Sequence, residues 1–454
     1  MGAAAIVPRY VLGGRNHVAP SDRVHVALIG AGGRGRQNAM ELLKLPDVRI
    51  TVVADPAESW DLGKYYYKGK AGRLAVSRMI ESHAAAHDRD FKVTSCIDYR
   101  RFFDSGASGI DAVLCATPDH LHAHVAVTAM RAGKHVYCEK PLTHNIAEAR
   151  LVAKVARETG VATQLGNQGH SRDTMRQTVE WIRAGAIGAV REVHAWVPAT
   201  RWNPTLLGPP TQSQPVPSGL EWDLWCGPRQ PVGYHEAYAP VAWRDFWQFG
   251  CGAMGDFGCH DLDSSMWSLE LDLPERIEMF PAGRPARGMF PHGEIGYFDF
   301  AARRDRPPVR IHWYSGGLRP RCPDALNEGN DGKPQRLPRR GVLFVGEKGV
   351  MVCGGAGGTP TIYPESLRRS FQPPPPSLPR SKGHHRDWID AIKGGPPASS
   401  HFEYGAKLTE VTLLGVLALQ LGDVVHWDAG AMKARGLDRA DRLIHGSYRK
   451  GWRL

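Results

Sequence analysis

The chain has 454 residues, which is enough for about two or three domains. Its 42% hydrophobic and 23% charged content excludes a disordered chain, no apolar run approaches the roughly 18 residues that suggest a membrane span, and 51 glycines and 34 prolines show no collagen-like period. A net charge of +11 raises the question of nucleic acid. The densest basic stretches, Arg319 to Arg321 and Arg336 to Arg340, are broken by Pro or Gly and carry no interleaved aromatics. Neither a nucleic-acid partner nor a membrane span is expected, and the charge reads as solubility or weak attraction for anions.

The start, Met1-Gly-Ala-Ala-Ala-Ile-Val-Pro, is short and apolar and lacks a charged leader. Residues 1–21 are read as a flexible N-terminus that could be the remnant of an export signal, which leaves a periplasmic or exported location open beside a cytoplasmic one. Eight cysteines show no Cys-x-x-Cys, so neither a disulfide framework nor a zinc-finger site is expected. Cys115 and Cys138 sit in strand-like runs and read as buried thiols.

Val24 to Ile29 is an apolar run of strand length, followed directly by Gly30-Ala-Gly32-Gly33-Arg34-Gly35. Helical spacing follows over Gln37 to Leu45, then a strand, Ile50 to Ala54, ending at Asp55. A pyrophosphate can lie against the helix N-terminus, where amides and the positive dipole end point outward. Gly30 allows the turn, Gly32 the approach of the backbone, and Gly35 close packing of helix on strand. Asp55 lies 20 residues after Gly35, where a carboxylate can accept from a ribose and repel a 2′-phosphate, so NAD is expected over NADP. Alternation continues with strands at Ile110 to Ala116, Lys134 to Cys138 and Val161 to Leu165 and helices at His122 to Ala132 and Ala147 to Thr159. That pattern predicts a doubly wound parallel sheet over 22–165, with polar strand ends at Gly30, Asp55, Thr117, Glu139 and Asn167.

Residues 166–454 read differently, as an α/β domain for substrate binding and oligomerisation with a large, mostly antiparallel open sheet and a C-terminal helix packing back. Arg191 to Thr200, Gly296 to Ala301 and Val309 to Tyr314 read as strands, and Gly341 to Gly354 as a hairpin turning at Gly346-Glu-Lys-Gly349. Stretches 204–219, 318–340 and 371–383 read as loops. A helix from Asp256 through Trp267 places Asp256, His260, Asp263 and Trp267 on one face. A carboxylate one turn from an imidazole can orient it, as a general base for alcohol oxidation requires, or be a satisfied pair on a helix. Trp222, Trp225, Trp243 and Trp247 could stack on sugar rings, with Arg244 and Asp245 bonding hydroxyls, or could pack a core. His120, His122 and His124 alternate and make a poor metal site, so no metal is expected.

Glu139-Lys140-Pro141, the glycine loop, Asp256–His260, Ala132-Gly-Lys-His-Val136 and the stretches from Trp388 and Arg449 together resemble the Gfo/Idh/MocA oxidoreductase family. The resemblance implies a Rossmann domain and an α/β domain whose open sheet mediates dimers or tetramers. It implies that Gly30, Gly32, Gly33, Arg34, Gly35, Asp55, Thr117, Pro118, His122, Glu139, Lys140 and Asn167 line NAD. Lys140 would bond the substrate hydroxyl with a lowered pKa, Pro141 would follow a cis bond, His260 would be the acid/base, and Asp256 a substrate or orienting ligand. Substrate contacts would come from His170, Trp243, Arg244, Asp256 and His260. The family divides between carbohydrate oxidoreductases, the first reading here, and glycosidases that oxidise a sugar transiently at carbon 3. The second route needs another base, for which His170 and Tyr314 are candidates. A silent sugar-binding protein is the remaining reading.

Overall fold

The structure, a computed structural model, describes residues 18–284, 286–303, 306–328 and 335–454. Most of the N-terminal export-signal reading therefore lies outside the described residues. Among the described residues no helix is long and apolar enough to cross a membrane.

The first sheet is built from runs too apolar to leave either face in water. Its strands are β1 (Val24–Ile29), β2 (Val48–Ala54), β3 (Thr94–Cys96), β4 (Ala112–Cys115), β5 (His135–Cys138) and β6 (Thr163–Leu165). All pair in parallel, in the order β3-β2-β1-β4-β5-β6. This order reverses direction between β1 and β4, and a doubly wound sheet opens its ligand crevice at that reversal. The helix expected over Gln37 to Leu45 is Gly33–Leu42, so it begins inside the glycine loop. β3 lacked a visible signal because Thr94-Ser-Cys96 is short and its side chains are not fully buried.

Among the described residues the second sheet has nine strands: β7 (Val190–Trp196), β8 (Arg276–Ala282), β9 (Gly293–Phe300), β10 (Val309–Tyr314), β11 (Gly341–Gly346), β12 (Val350–Gly354), β13 (Pro360–Tyr363), β14 (Val425–Asp428) and β15 (Lys433–Ala434). Their order is β13-β12-β11-β7-β10-β9-β8-β14-β15, and only β7 with β10 runs parallel. β8 escapes a pattern reading because it holds Pro281. The proline is tolerated because β14 pairs only with Arg276 and Ile277, leaving Pro281 on a free edge.

Two helices tie the sheets together. Phe402–Leu421 is apolar on nearly every face and lies buried between helices Ile146–Thr159 and Gly252–Asp261 and strand β8. His384–Ile392 returns to the first sheet. There Trp388 is fully buried with Val24, Val26 and Leu28, and Asp47 takes Arg386 and Lys393, each at 2.7–2.8 Å. Trp388→Ala is therefore expected to cost about 3–5 kcal/mol, measured as a fall in the urea midpoint. An unchanged midpoint would show that this helix does not support the first sheet.

Candidate active site

The crevice at the β1/β4 reversal is lined by Gly30, Gly32, Gly33, Arg34, Asp55, Thr117, Pro118, His122, Glu139 and Lys140 from the first sheet, and by Trp243, Arg244, Asp256 and His260 from the second unit. The glycines are demanded by space. Gly30 has φ +90°, and a Cβ there would lie 2.6 Å from the backbone of Ala116. A Cβ on Gly35 would come within 1.9 Å of the Gly30 carbonyl oxygen, so the helix could not seat on the loop. Gly32 instead faces open space. It caps the helix without a side-chain bond, so first-turn amides stay free for an anion. Helix Ile146–Thr159, away from the crevice, closes its amides with an Asn145/Glu148 capping box.

Glu139 gathers the loop and the strand ends. Its Oε1 accepts from Arg34 Nε (2.9 Å), Asn38 Nδ2 (2.9 Å) and Gln168 Nε2 (3.0 Å). Burial pushes its pKa up, but Arg34 and Lys140 outweigh that and bring it to about 2. Lys140 precedes a cis bond to Pro141 and donates from Nζ to the Asp256 carbonyl oxygen (2.8 Å) and to Asp256 Oδ1. Arg244 Nε lies 3.4 Å from Asp256 Oδ2. Burial raises the pKa of Asp256, yet Lys140 and Arg244 hold it far below the usual carboxylate range. His260 behaves oppositely: burial, then Lys140 and Arg340, push its pKa well below the ordinary value, so its ring is neutral at neutral pH.

Several sequence expectations are corrected. Asp256 and His260 do share helix Gly252–Asp261, but no hydrogen bond joins them and His260 Nδ1 is buried without a partner. The carboxylate is taken by the stronger cationic donors Lys140 and Arg244. The helix breaks at Leu262, so Asp263 and Trp267 leave the crevice. Asp263 is buried with His170, whose Nδ1 lies 3.0 Å from the carboxylate and whose ring stacks on Trp267 at 4.2 Å. Asn167 is also withdrawn, donating to Asp263 (2.9 Å) and accepting from Ser400 (2.6 Å). Tyr314 lies on β10, away from the crevice. Asp245 accepts the backbone amides of Trp202 and Asn203. Of the four tryptophans, Trp225 and Trp243 line the crevice; Arg244 lies over one face of Trp243 at 4.1 Å, and Trp225 stacks on Trp222 at 4.5 Å. Trp247 lies elsewhere. His120 faces the backbone carbonyls of Phe249 and Trp225, and His124 that of Trp452.

Other lining residues escaped the sequence reading. Tyr66 and Tyr67 reach the crevice from a hairpin, Trp60–Asp61 paired with Lys70–Ala71, that Arg36 ties to helix Gly33–Leu42 through the carbonyls of Tyr67, Lys68 and Lys70. Tyr66 is 61% exposed, with the Tyr67 ring at 4.0 Å and the Trp202 ring at 6.0 Å, whereas Tyr67 is buried. The run Tyr65-Tyr66-Tyr67 shortly after Asp55 was the available signal. Arg340 lay within a basic stretch read as scattered charge. It instead lines the crevice and grips Asp261 through Nη2 at 2.7 Å.

Residues 24–167 match the NAD-binding Rossmann fold of the Gfo/Idh/MocA oxidoreductases, and residues 197–280 match the C-terminal alpha/beta domain of the same family. The chain belongs to this family. It is 40% identical over 95 residues to 1,5-anhydro-D-fructose reductase of Ensifer adhaerens, covering 20% of this chain and 28% of that one. It is 28% identical over 167 residues to scyllo-inositol 2-dehydrogenase (NAD(+)) of Bacillus subtilis, covering 37% and 42%. The aligned segments thus span less than half of these relatives. In fold the chain is similar to the WlbA dehydrogenase from Bordetella pertussis, solved with NADH and UDP-GlcNAcA. The TM-score is 0.59 at 17% identity, over 89% of this chain and 98% of that one.

The residues present fit a dinucleotide. The free first-turn amides and the open face of Gly32 leave room for its phosphates, and Glu139 Oε2 and His260 Nδ1 are buried polar atoms still without partners. Asp55 accepts from the amides of Ala31 (2.7 Å) and Ala57 (2.8 Å), and burial pushes its pKa up to about 6. Each carboxylate oxygen keeps a further lone pair for a ribose hydroxyl. Two glycine substitutions should separate packing from binding. Gly32→Ala, whose methyl meets nothing in the protein, is expected to keep its melting temperature but weaken NADH binding by about tenfold or more, read by energy transfer from tryptophan. Gly35→Ala is expected to lower the melting temperature as well. Equal NADH affinity in Gly32→Ala would remove the phosphates from this loop.

Proposed function

We propose that this chain is an NAD-dependent oxidoreductase acting on a ring carbinol of a sugar or glycoside, at carbon 3. The observation that carries this reading is that Lys140, just past a strand of the first sheet, and His260, on a helix of the second unit, line one crevice with the glycine loop. Bound NAD supplies a hydride acceptor at its nicotinamide. Lys140, held by Asp256, donates a hydrogen bond to the substrate hydroxyl and orients it. His260, neutral through burial and its cationic neighbours, accepts the hydroxyl proton as the carbonyl forms and returns it in the reverse direction. Arg244 lines the same space, with Nη1 donating to the Val241 carbonyl oxygen (3.1 Å) and Nε beside Asp256. Tyr66, largely exposed at this crevice, offers an aromatic face for the apolar C–H side of a sugar ring.

The test is turnover of a panel of free sugars and aryl glycosides by the full chain, with and without added NAD. NADH formed in proportion to oxidised sugar is the expected result. Lys140→Met and His260→Ala are each expected to lower kcat by about 100-fold or more. Release of aglycone without net NADH would replace this reading by a redox-neutral glycosidase, and activity retained in both variants would overturn the site assignment.

The pH profile offers a separate check. A base works when unprotonated, and a lowered pKa keeps it unprotonated further into acid. The acid limb of kcat/KM for oxidation should therefore lie on the acid side of the unperturbed histidine value of about 6.5, and a limb centred at that value would contradict the environment described for His260.

A further inference from the structure

We infer that Glu192, His194 and His312 form a three-ligand site for a zinc-like divalent metal ion on the second sheet, independent of the crevice and of the function proposed for it. The backbone brings these residues together. Glu192 and His194 are two apart on β7 and therefore share a face, while His312 on β10 is the direct parallel partner of His194. That face is opposite the one on which Val193, Ala195 and Ile311 enter the core.

The donor atoms converge. His194 Nε2 lies 3.0 Å and His312 Nε2 2.9 Å from the same oxygen, Glu192 Oε1, and the two rings stack at 4.4 Å with planes 28° apart. All three ligand atoms lie within 4.8 Å of one another. Neither contact has hydrogen-bond geometry, and His312 Nε2 is a buried polar atom without a hydrogen-bond partner. Around a tetrahedral zinc ion with bonds of about 2.0–2.1 Å, neighbouring ligands sit roughly 3.3 Å apart, so a small outward movement admits the ion.

The surroundings favour ligation. His194 Nδ1 lies 3.1 Å from the Tyr314 hydroxyl, the kind of outer contact that fixes which imidazole nitrogen presents its lone pair. Two imidazoles and a carboxylate suit zinc better than magnesium or calcium, which prefer oxygen ligands alone. Glu192 is 42% exposed, which leaves a fourth position open to water. The other compact set, Cys115, His122 and Cys138, is less suited, because both ring nitrogens of His122 already face the carbonyls of Pro141 (2.6 Å) and Thr117 (2.9 Å).

The test is metal binding by the full chain, prepared without a histidine tag and stripped with chelator. Titration with Zn²⁺ alone is expected to show about one equivalent bound at micromolar concentration, and Co²⁺ to develop the visible absorption of a tetrahedral site. Glu192→Gln and His312→Ala should each weaken binding at least about tenfold, and Tyr314→Phe by about tenfold. Melting temperatures measured in chelator should match the parent for Glu192→Gln, the most exposed of the three. A parent chain that takes up no Zn²⁺ at micromolar concentration would overturn the proposal. So would binding left unchanged in both Glu192→Gln and His312→Ala.

Discussion

The ion pair between Lys140 and Asp256 is the constraint on which the crevice depends. Lys140 lies two residues past β5 of the first sheet, and Asp256 sits on a helix of the second unit 116 residues further along the chain. Both side chains are largely removed from water, at 12% and 21% exposure. A charge in that position is tolerable only when paired, and removing either partner strands the other. The backbone carbonyl of Asp256 takes a second bond from the same ammonium. The segment just past β5 and helix Gly252–Asp261 are thereby held at one spacing.

The electrostatics of the crevice follow from that pairing. Asp256 is shared by Lys140 and Arg244, and Glu139 by Arg34 and, at longer range, Lys140. Both carboxyls stay ionised despite burial because each answers two cations. Asp119 lies in the same crevice, and burial carries its pKa up to about 6 even with His122, Arg244 and Lys140 opposing. His260, the one imidazole on this helix, is then left facing Lys140 and Arg340 with no hydrogen-bonding carboxylate of its own. A paired imidazole would hold a proton at neutral pH, whereas this one is ready to take one. The absence of the expected Asp–His bond is thus part of what leaves His260 neutral.

How much of this was legible in the sequence depended on the range of the interaction. β1 and β10 could be read to the residue, because six-residue runs with β-branched side chains and clear boundaries have no competing local structure. The glycine loop was legible because a missing Cβ is a property of the residue itself. The partner of Asp256 was not. Spacing of four on a helix states which side chains can meet, and says nothing of a lysine arriving from another sheet. The same limit explains His170, which found Asp263 at a distance of 93 residues. Tyr66 was missed for the opposite reason. Its hairpin is made of two-residue strands, too short for any period to register.

β7 shows how a single strand serves two purposes without conflict. Its inward residues, Val193 and Ala195, carry the core, while Glu192 and His194 stand on the other face beside His312. Trp196 would continue that outer row, but Leu326 and Leu337 from the following loop cover it and its Nε1 donates to the Pro338 carbonyl oxygen (2.8 Å). The polar part of the face is thereby confined to the middle of the sheet. A slip of one residue in β7 would exchange the two sets, burying a carboxylate and an imidazole and exposing the core. The packing that makes such a slip unfavourable is therefore what holds Glu192 and His194 in register with His312, so the geometry of that cluster rests on apolar contacts made on the opposite side of the sheet.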